Sequence, residues 1–205
     1  MLAILDQLAV SFDLPILEWI QDKLQCGFLD FIMPIITVFG DAGIFWIVWA
    51  AILVLIPKTR RIGLGMLFAL IMGLVVCNMI LKPGVGRIRP YDFQIERLGK
   101  TMADLLEGGK LLVETPHDFS FPSGHTIASF EASVVLLMNS KKMGIPAIIL
   151  AVLVSFSRMY LYVHYPTDVI ASVILGSVFA VIGNLIAQKM PLPAFLNVKK
   201  GKYEA

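Results

Sequence analysis

Long apolar runs alternate along the chain with short polar breaks. The clearest run, Ile62 to Leu81, holds no charged residue. At about 1.5 Å per residue it reaches about 30 Å, the thickness of a bilayer's hydrocarbon core, and so predicts a membrane-spanning helix. Runs over 145–163 and 169–188 are of similar length, while the run over 125–139 is shorter and carries Glu131. Two further runs, 19–40 and 43–57, flank Asp41-Ala42-Gly43, a polar break that predicts the turn of a helical hairpin. Ahead of them, residues 1–18 mix apolar positions with Asp6, Asp13 and Glu18 and lack both a basic leader and a small-residue cleavage site. This pattern predicts an amphipathic helix lying at the membrane surface. The expected fold is therefore all-α: one membrane-embedded domain over 1–205, with six transmembrane helices, an interfacial helix over 1–18 and a polar segment over 82–123 between spans three and four.

Composition agrees with a membrane protein. The 205 residues are 58% hydrophobic with a mean hydropathy of +0.81, beyond the range of soluble domains. A formal net charge of +2 gives no footing for nucleic acid as a partner. Cys26 and Cys77 lie in apolar surroundings without metal-ligand spacing and are expected to be buried thiols. Basic residues follow span two (Lys58, Arg60, Arg61), span four (Lys141, Lys142) and span six (Lys189, Lys199, Lys200, Lys202). The positive-inside rule puts these segments, and with six spans both termini, in the cytoplasm, and the 82–123 segment outside. Lys82, Arg87, Arg89, Arg97, Lys100 and Lys110 in that outer segment run against the rule and call for a functional reason.

Three polar patches share the outer face. In "KPGVGRIRP", Lys82 to Pro90, three cations fall within eight residues among glycines and prolines. Lys82 alone could be an anchor reaching the headgroups, but the group has the make-up of an anion cradle, with arginine forks suited to phosphate oxygens. In "FPSGHT", Ser123, Gly124 and His125 stand at the start of span four, where unpaired backbone N–H groups favour an anion. Ser123 could equally be a plain N-cap and His125 an interfacial side chain. In "SRMYLYVHYPTD", Arg158 is followed by His164 and, across Pro166, by Asp168. If the chain turns there, the carboxylate can hold one ring nitrogen and leave the other exposed as a base or nucleophile.

Together, Lys82-x6-Arg89-Pro90, Pro122-Ser123-Gly124-His125 and Ser157-Arg158-x5-His164-x3-Asp168 resemble the tripartite signature of the type 2 phosphatidic acid phosphatase superfamily, without a departure. Each part is weak alone; in this order and spacing they are specific. Size and layout resemble the small bacterial members, which include phosphatidylglycerophosphate and undecaprenyl diphosphate phosphatases, and imply a bacterial cell membrane. The resemblance implies that His164 is the nucleophile, Asp168 its orienting group and His125 the acid and then the base. It implies also that Lys82, Arg89, Arg158, Ser123 and the backbone at Gly124 hold the phosphoryl oxygens, with no metal and no cofactor.

Tyr91 to Phe121 is too long for a tight turn and suggests a lid or a short surface helix. His117 within it is expected to be structural or exposed, and Asp30 and Glu131 are intramembrane acids without an assigned partner. A rival reading is a transporter or flippase that binds a lipid phosphate without hydrolysing it, since two histidines and a carboxylate near one interface could relay protons.

Overall fold

The structure, a computed structural model, describes residues 2–191, and all the regular structure among them is helical. The chain opens with α1 (Leu2–Leu8), which passes through a π-helical turn, Ala9–Asp13, into α2 (Leu14–Leu24). Leu14, Leu17 and Ile20 form its buried stripe, while Phe12 and Trp19 stay exposed. This amphipathic helix runs to Leu24, further than its expected end at residue 18, because Gln21 still reaches the bundle, donating to the Tyr160 carbonyl at 2.8 Å.

α3 (Gly27–Val38) and α4 (Ile44–Leu55) follow, joined through a 3₁₀ turn at Asp41–Gly43. The hairpin expected here is not formed. Asp30 meets Tyr160 at one end of the bundle, Gly40 lies against Val154, Trp46 donates to Ser129, and Ala50 abuts Gly63. Residues 27–55 therefore trace one broken path from one end of the bundle to the other. Ala42 and Gly43, with φ of 47° and 67°, break the helix without reversing the chain.

α5 (Arg60–Met72) returns along α4 and continues as a π-helical stretch, Gly73–Leu81, into the short α6 (Lys82–Val85). The expected surface segment holds α7 (Pro90–Leu98), α8 (Met102–Leu105) and a 3₁₀ turn at Glu107–Gly109, and then runs irregularly to Ser123. α9 (Gly124–Asn139), α10 (Lys141–Tyr160) and α11 (Pro166–Lys189) complete the bundle.

Four helical stretches among the described residues are long and apolar enough to cross a membrane: Gly27–Leu55, Arg60–Leu98, Lys141–Tyr160 and Pro166–Lys189. Exposed rows such as Ile145, Ile149 and Val152 on α10, or Ile170, Ile174 and Val178 on α11, are the faces that lipid covers. Between the helices, small residues let backbones approach. A Cβ on Gly183 of α11 would fall 2.7 Å from both the Gly65 carbonyl oxygen and the Ala69 nitrogen of α5. Trp46, Met66, Val135 and Leu136 fill the same half of the bundle.

At that end the basic cluster has a second use. Arg61 donates to the carbonyls of Ala187, Gln188 and Met190, and Arg60 to that of Val54, so the cations cap the C-termini of α11 and α4. Among the described residues, the N-terminal helix and the end of α11 lie at opposite ends of the bundle, where one side was expected for both. Asp13 and Gln21 tie the N-terminal helix to the opposite end, beside Arg87 and Tyr160, whereas Lys189 lies with Arg61. Lys199, Lys200 and Lys202 lie outside the described residues. Cys77 is buried as expected, but Cys26, in the break between α2 and α3, is exposed.

Candidate active site

The end that carries the N-terminal helix also holds a cavity of about 800 Å³. Lys82, Arg89, Gly124, His125, Arg158 and His164 all line it, so three segments remote in sequence converge on one space. Its deeper walls are apolar, formed by Ile47 of α4, by Leu67, Leu70 and Ile71 of α5 and by Leu74 just beyond. Asp118 and His117 border it from the segment between α8 and α9, and His117 is exposed as expected.

His164 sits in the turn between α10 and α11. The Arg158 carbonyl accepts from the amides of both Val163 and His164, each at 3.2 Å, which fixes the turn. Tyr162, at φ 61°, is held there by a hydrogen bond with Gln94 of α7. The imidazole is 1% exposed, and its Nε2 lies 3.3 Å from the Arg89 guanidinium. Burial, and then the positive charges of Arg89, Arg158 and Lys82, push its pKa well below the ordinary value. His164 therefore stands neutral, with a lone pair available.

The Nδ1 side differs from expectation. Asp168 Oδ2 is 3.6 Å from Nδ1, too far for a good hydrogen bond. Ser120 stands between them, its hydroxyl 3.4 Å from Nδ1 and donating to Asp168 Oδ2 at 2.5 Å. Asp168, fully buried at the first turn of α11, also accepts from the Tyr165 amide at 3.1 Å and from Arg87 at 2.5 Å.

Arg87 is thus not part of the cradle. Its guanidinium turns from the cavity to bridge Asp168 and Asp13, stacks 3.7 Å over the Tyr165 ring and reaches Thr167 at 2.8 Å. Two cations of the first patch remain on the cavity, and the third braces the carboxylate behind His164.

Arg89 donates to the Val163 carbonyl at 2.6 Å and the Asp118 carbonyl at 2.9 Å. The Asp118 carboxylate bridges Arg89 and Lys82. Burial alone would raise this carboxyl, but hydrogen bonds from Lys82 and Arg89 hold it at about 2. Arg158 enters from α10, 5% exposed; it donates to Thr37 of α3 at 2.6 Å, and its Nε is without a partner. A buried guanidinium with a donor to spare, beside an anion-bridged pair of cations, suits a phosphoryl group.

At the start of α9, His125 Nε2 lies 2.7 Å from Asp41 Oδ1. Ser123 is fully buried behind the wall, its hydroxyl accepting from Thr126 at 3.1 Å and its amide donating to Ser172 at 2.8 Å. It neither lines the cavity nor caps the helix, so the amides after it are what the helix start offers. The two intramembrane acids part ways: Asp30 accepts from the Tyr160 hydroxyl at 2.6 Å, whereas Glu131 lines the deep end of the cavity with Oε1 unpartnered.

Comparison with known proteins places the chain in a family. The sequence profile of the PAP2 superfamily matches residues 62–190. The chain is 34% identical over 154 residues to an undecaprenyl-diphosphatase from Sulfolobus acidocaldarius, covering 75% of this chain and 68% of that one. It is 33% identical over 162 residues to phosphatidylglycerophosphatase B from Bacillus subtilis, covering 73% and 64%. Among solved structures, a transmembrane PAP2 type phosphatidylglycerolphosphate phosphatase from Bacillus subtilis superposes with a TM-score of 0.66 at 26% identity, over 93% of this chain and 94% of that one.

Proposed function

The chain belongs to the PAP2 superfamily, and from that membership we propose that it hydrolyses a lipid phosphate monoester or diphosphate, releasing inorganic phosphate at the extracytoplasmic face of a bacterial cell membrane. The observation that carries the reading is the buried His164, with Ser120 linking its Nδ1 to Asp168 and with Nε2 beside Arg89 on the cavity.

In this mechanism the phosphoryl group displaces Asp118 and lies among Lys82, Arg89 and Arg158, with the amide of Gly124 at the helix start. Ser123 supports that start from behind. His164 Nε2 attacks phosphorus while His125 gives a proton to the departing oxygen, leaving a phosphohistidine and a free lipid alcohol or monophosphate. His125 then takes a proton from water, which attacks phosphorus, breaks the P–N bond and frees phosphate. Fixed cations and amides stabilise charge on the equatorial oxygens, the part that a metal plays elsewhere. The apolar walls at Leu67, Leu70 and Leu74 suit an acyl or prenyl tail.

For the membrane we propose five crossings, by 27–55, 60–81, α9, α10 and α11, one fewer than the apolar runs suggest, because the broken path counts once. Lys58, Arg60, Arg61, Lys141, Lys142 and Lys189 gather at the end away from the site, which supports a cytoplasmic placement for that end. Of the cations at the other end, Lys82, Arg87 and Arg89 are engaged by Asp13, Asp118 and Asp168 at the site, a functional reason for their place there.

The test is phosphate release by the purified protein in detergent, compared by kcat/KM on phosphatidylglycerophosphate, phosphatidate and undecaprenyl diphosphate, with His164→Ala beside it. Turnover with an acid-labile phosphoenzyme that the variant lacks is expected. Binding of the lipids without phosphate release would instead favour the transporter.

A further inference from the structure

We infer that Asp41, which lies outside the three matched motifs, is the positioning residue of His125 and sets how well that histidine serves the leaving group. This rests on the function proposed above.

The geometry is specific. Asp41 opens the turn that breaks the 27–55 path, and its Oδ1 lies 2.7 Å from His125 Nε2. Among the described residues His125 makes no other side-chain hydrogen bond, so Nδ1 is free to exchange a proton with a ligand. Both residues line the cavity.

The backbone is shaped around this contact. A Cβ on Gly40 would fall 2.7 Å from His125 Cδ2 and 2.9 Å from its Cβ, so only glycine lets the chain pass over the ring at this distance. Immediately after Asp41, Ala42 occupies the left-handed region at φ 47°, which costs an L-residue about 1 kcal/mol or more. Gly43, also left-handed at φ 67°, then re-enters α4 against Ala128, one turn below His125. A continuous helix over 27–55 would carry residue 41 past the imidazole at whatever angle the helix dictated. The break instead presents its carboxylate to one ring nitrogen and its backbone to one ring edge.

A carboxylate on one imidazole nitrogen orients the ring, fixes which nitrogen keeps its proton and stabilises the imidazolium. Here Asp41 retains the Nε2 proton throughout, and Nδ1 is the atom that cycles. Nδ1–H passes its proton to the leaving oxygen as the P–O bond breaks, and Nδ1 recovers a proton from the water that opens the phosphohistidine. Asp41 touches neither phosphorus nor the leaving group, so all of its effect passes through His125.

The experiment compares Asp41→Asn with the parent on two substrates, an alkyl phosphate monoester whose alkoxide needs protonation and an aryl phosphate whose phenolate does not. The Asp41 side chain is 54% exposed, so the isosteric amide leaves the fold intact, which the thermal unfolding temperature verifies. The expected result is a loss of kcat/KM, which reports the steps up to departure of the leaving group, of about tenfold or more on the alkyl ester, with less than about threefold on the aryl ester, while the opening of the phosphohistidine slows alike for both. In a His125→Ala background, Asp41→Asn should add no further loss. Equal losses on the two substrates, or a full additional loss in the His125→Ala background, would overturn the inference. An active parent whose His164→Ala variant remains active would overturn the underlying mechanism instead, so the two failures are told apart.

Discussion

Arg87 donates to Asp168 across 2.5 Å at a point where both side chains are almost wholly buried, and the second arm of the same guanidinium is taken by Asp13 at 2.7 Å. The N-terminal helix is thereby wired to the carboxylate behind His164. Removing the cation leaves two buried carboxylates facing each other. Arg87→Met should therefore destabilise the protein by about 3–5 kcal/mol, read as a lowered unfolding temperature in detergent. Asp13→Asn keeps the Arg87–Asp168 pair and should cost less, while making residues 2–24 the first site of protease cleavage.

Ser120 connects Asp168 to His164 Nδ1. Ser120→Ala takes away that link without touching the cations on the cavity. A loss of about tenfold in kcat, corresponding to about 1.4 kcal/mol, is expected with KM little changed. An unaltered kcat would leave Asp168 to act on the imidazole across 3.6 Å directly.

Arg158 lines the cavity with a buried Nε that has no partner, while another of its nitrogens donates to Thr37. Lysine keeps the charge but loses the fork. Arg158→Lys should lower kcat by at least about tenfold, and inhibition by orthovanadate should weaken in parallel, since both depend on the same oxygens.

Asp118 bridges Lys82 and Arg89, the two cations that the proposed mechanism gives to the phosphoryl group, so on that mechanism it competes with substrate. Asp118→Asn should lower both KM and the inhibition constant of orthovanadate several-fold, because the open cradle is populated without displacement. The pH dependence has a definite sign. With the folded carboxyl held at about 2, its stabilisation is complete above the ordinary carboxylate value of about 4 and fades as the pH falls toward 2. The difference in unfolding temperature between parent and variant should stay constant from pH 8 to about pH 5 and close only in stronger acid.

Orientation is open to labelling. In a background without Cys26 and Cys77, Thr101→Cys should react with an impermeant thiol reagent on intact cells and Lys141→Cys should not. The reverse pattern would falsify the extracytoplasmic placement of the site.

The residues that line the cavity were legible because each sits in a short local pattern: Lys82 and Arg89 before Pro90, His125 after Ser123-Gly124, and His164 four positions ahead of Asp168. Their supports were not. Asp13 is 74 positions from Arg87, Ser120 is 48 from Asp168 and Asp41 is 84 from His125, so no local spacing announces any of these pairs. What the sequence does show of Asp13 and Asp41 is only an acid in apolar surroundings. The broken path misled for a related reason. Asp41-Ala42-Gly43 has the composition of a reversing turn, and composition does not fix the direction in which the chain leaves two left-handed residues. Arg87 looked like its neighbours in the first patch, and only the carboxylates gathered behind the turn draw it away.

The close crossing of α5 and α11 at Gly65, Ala69 and Gly183 has a directional consequence. There the backbones leave no room even for a methyl group, and Trp46, Met66 and Leu136 close the rest of that half. A headgroup that enters from the His164 end meets a floor rather than a passage. Under the proposed function, phosphate would depart into the compartment from which its lipid came, and the dephosphorylated lipid would remain in the leaflet it started from.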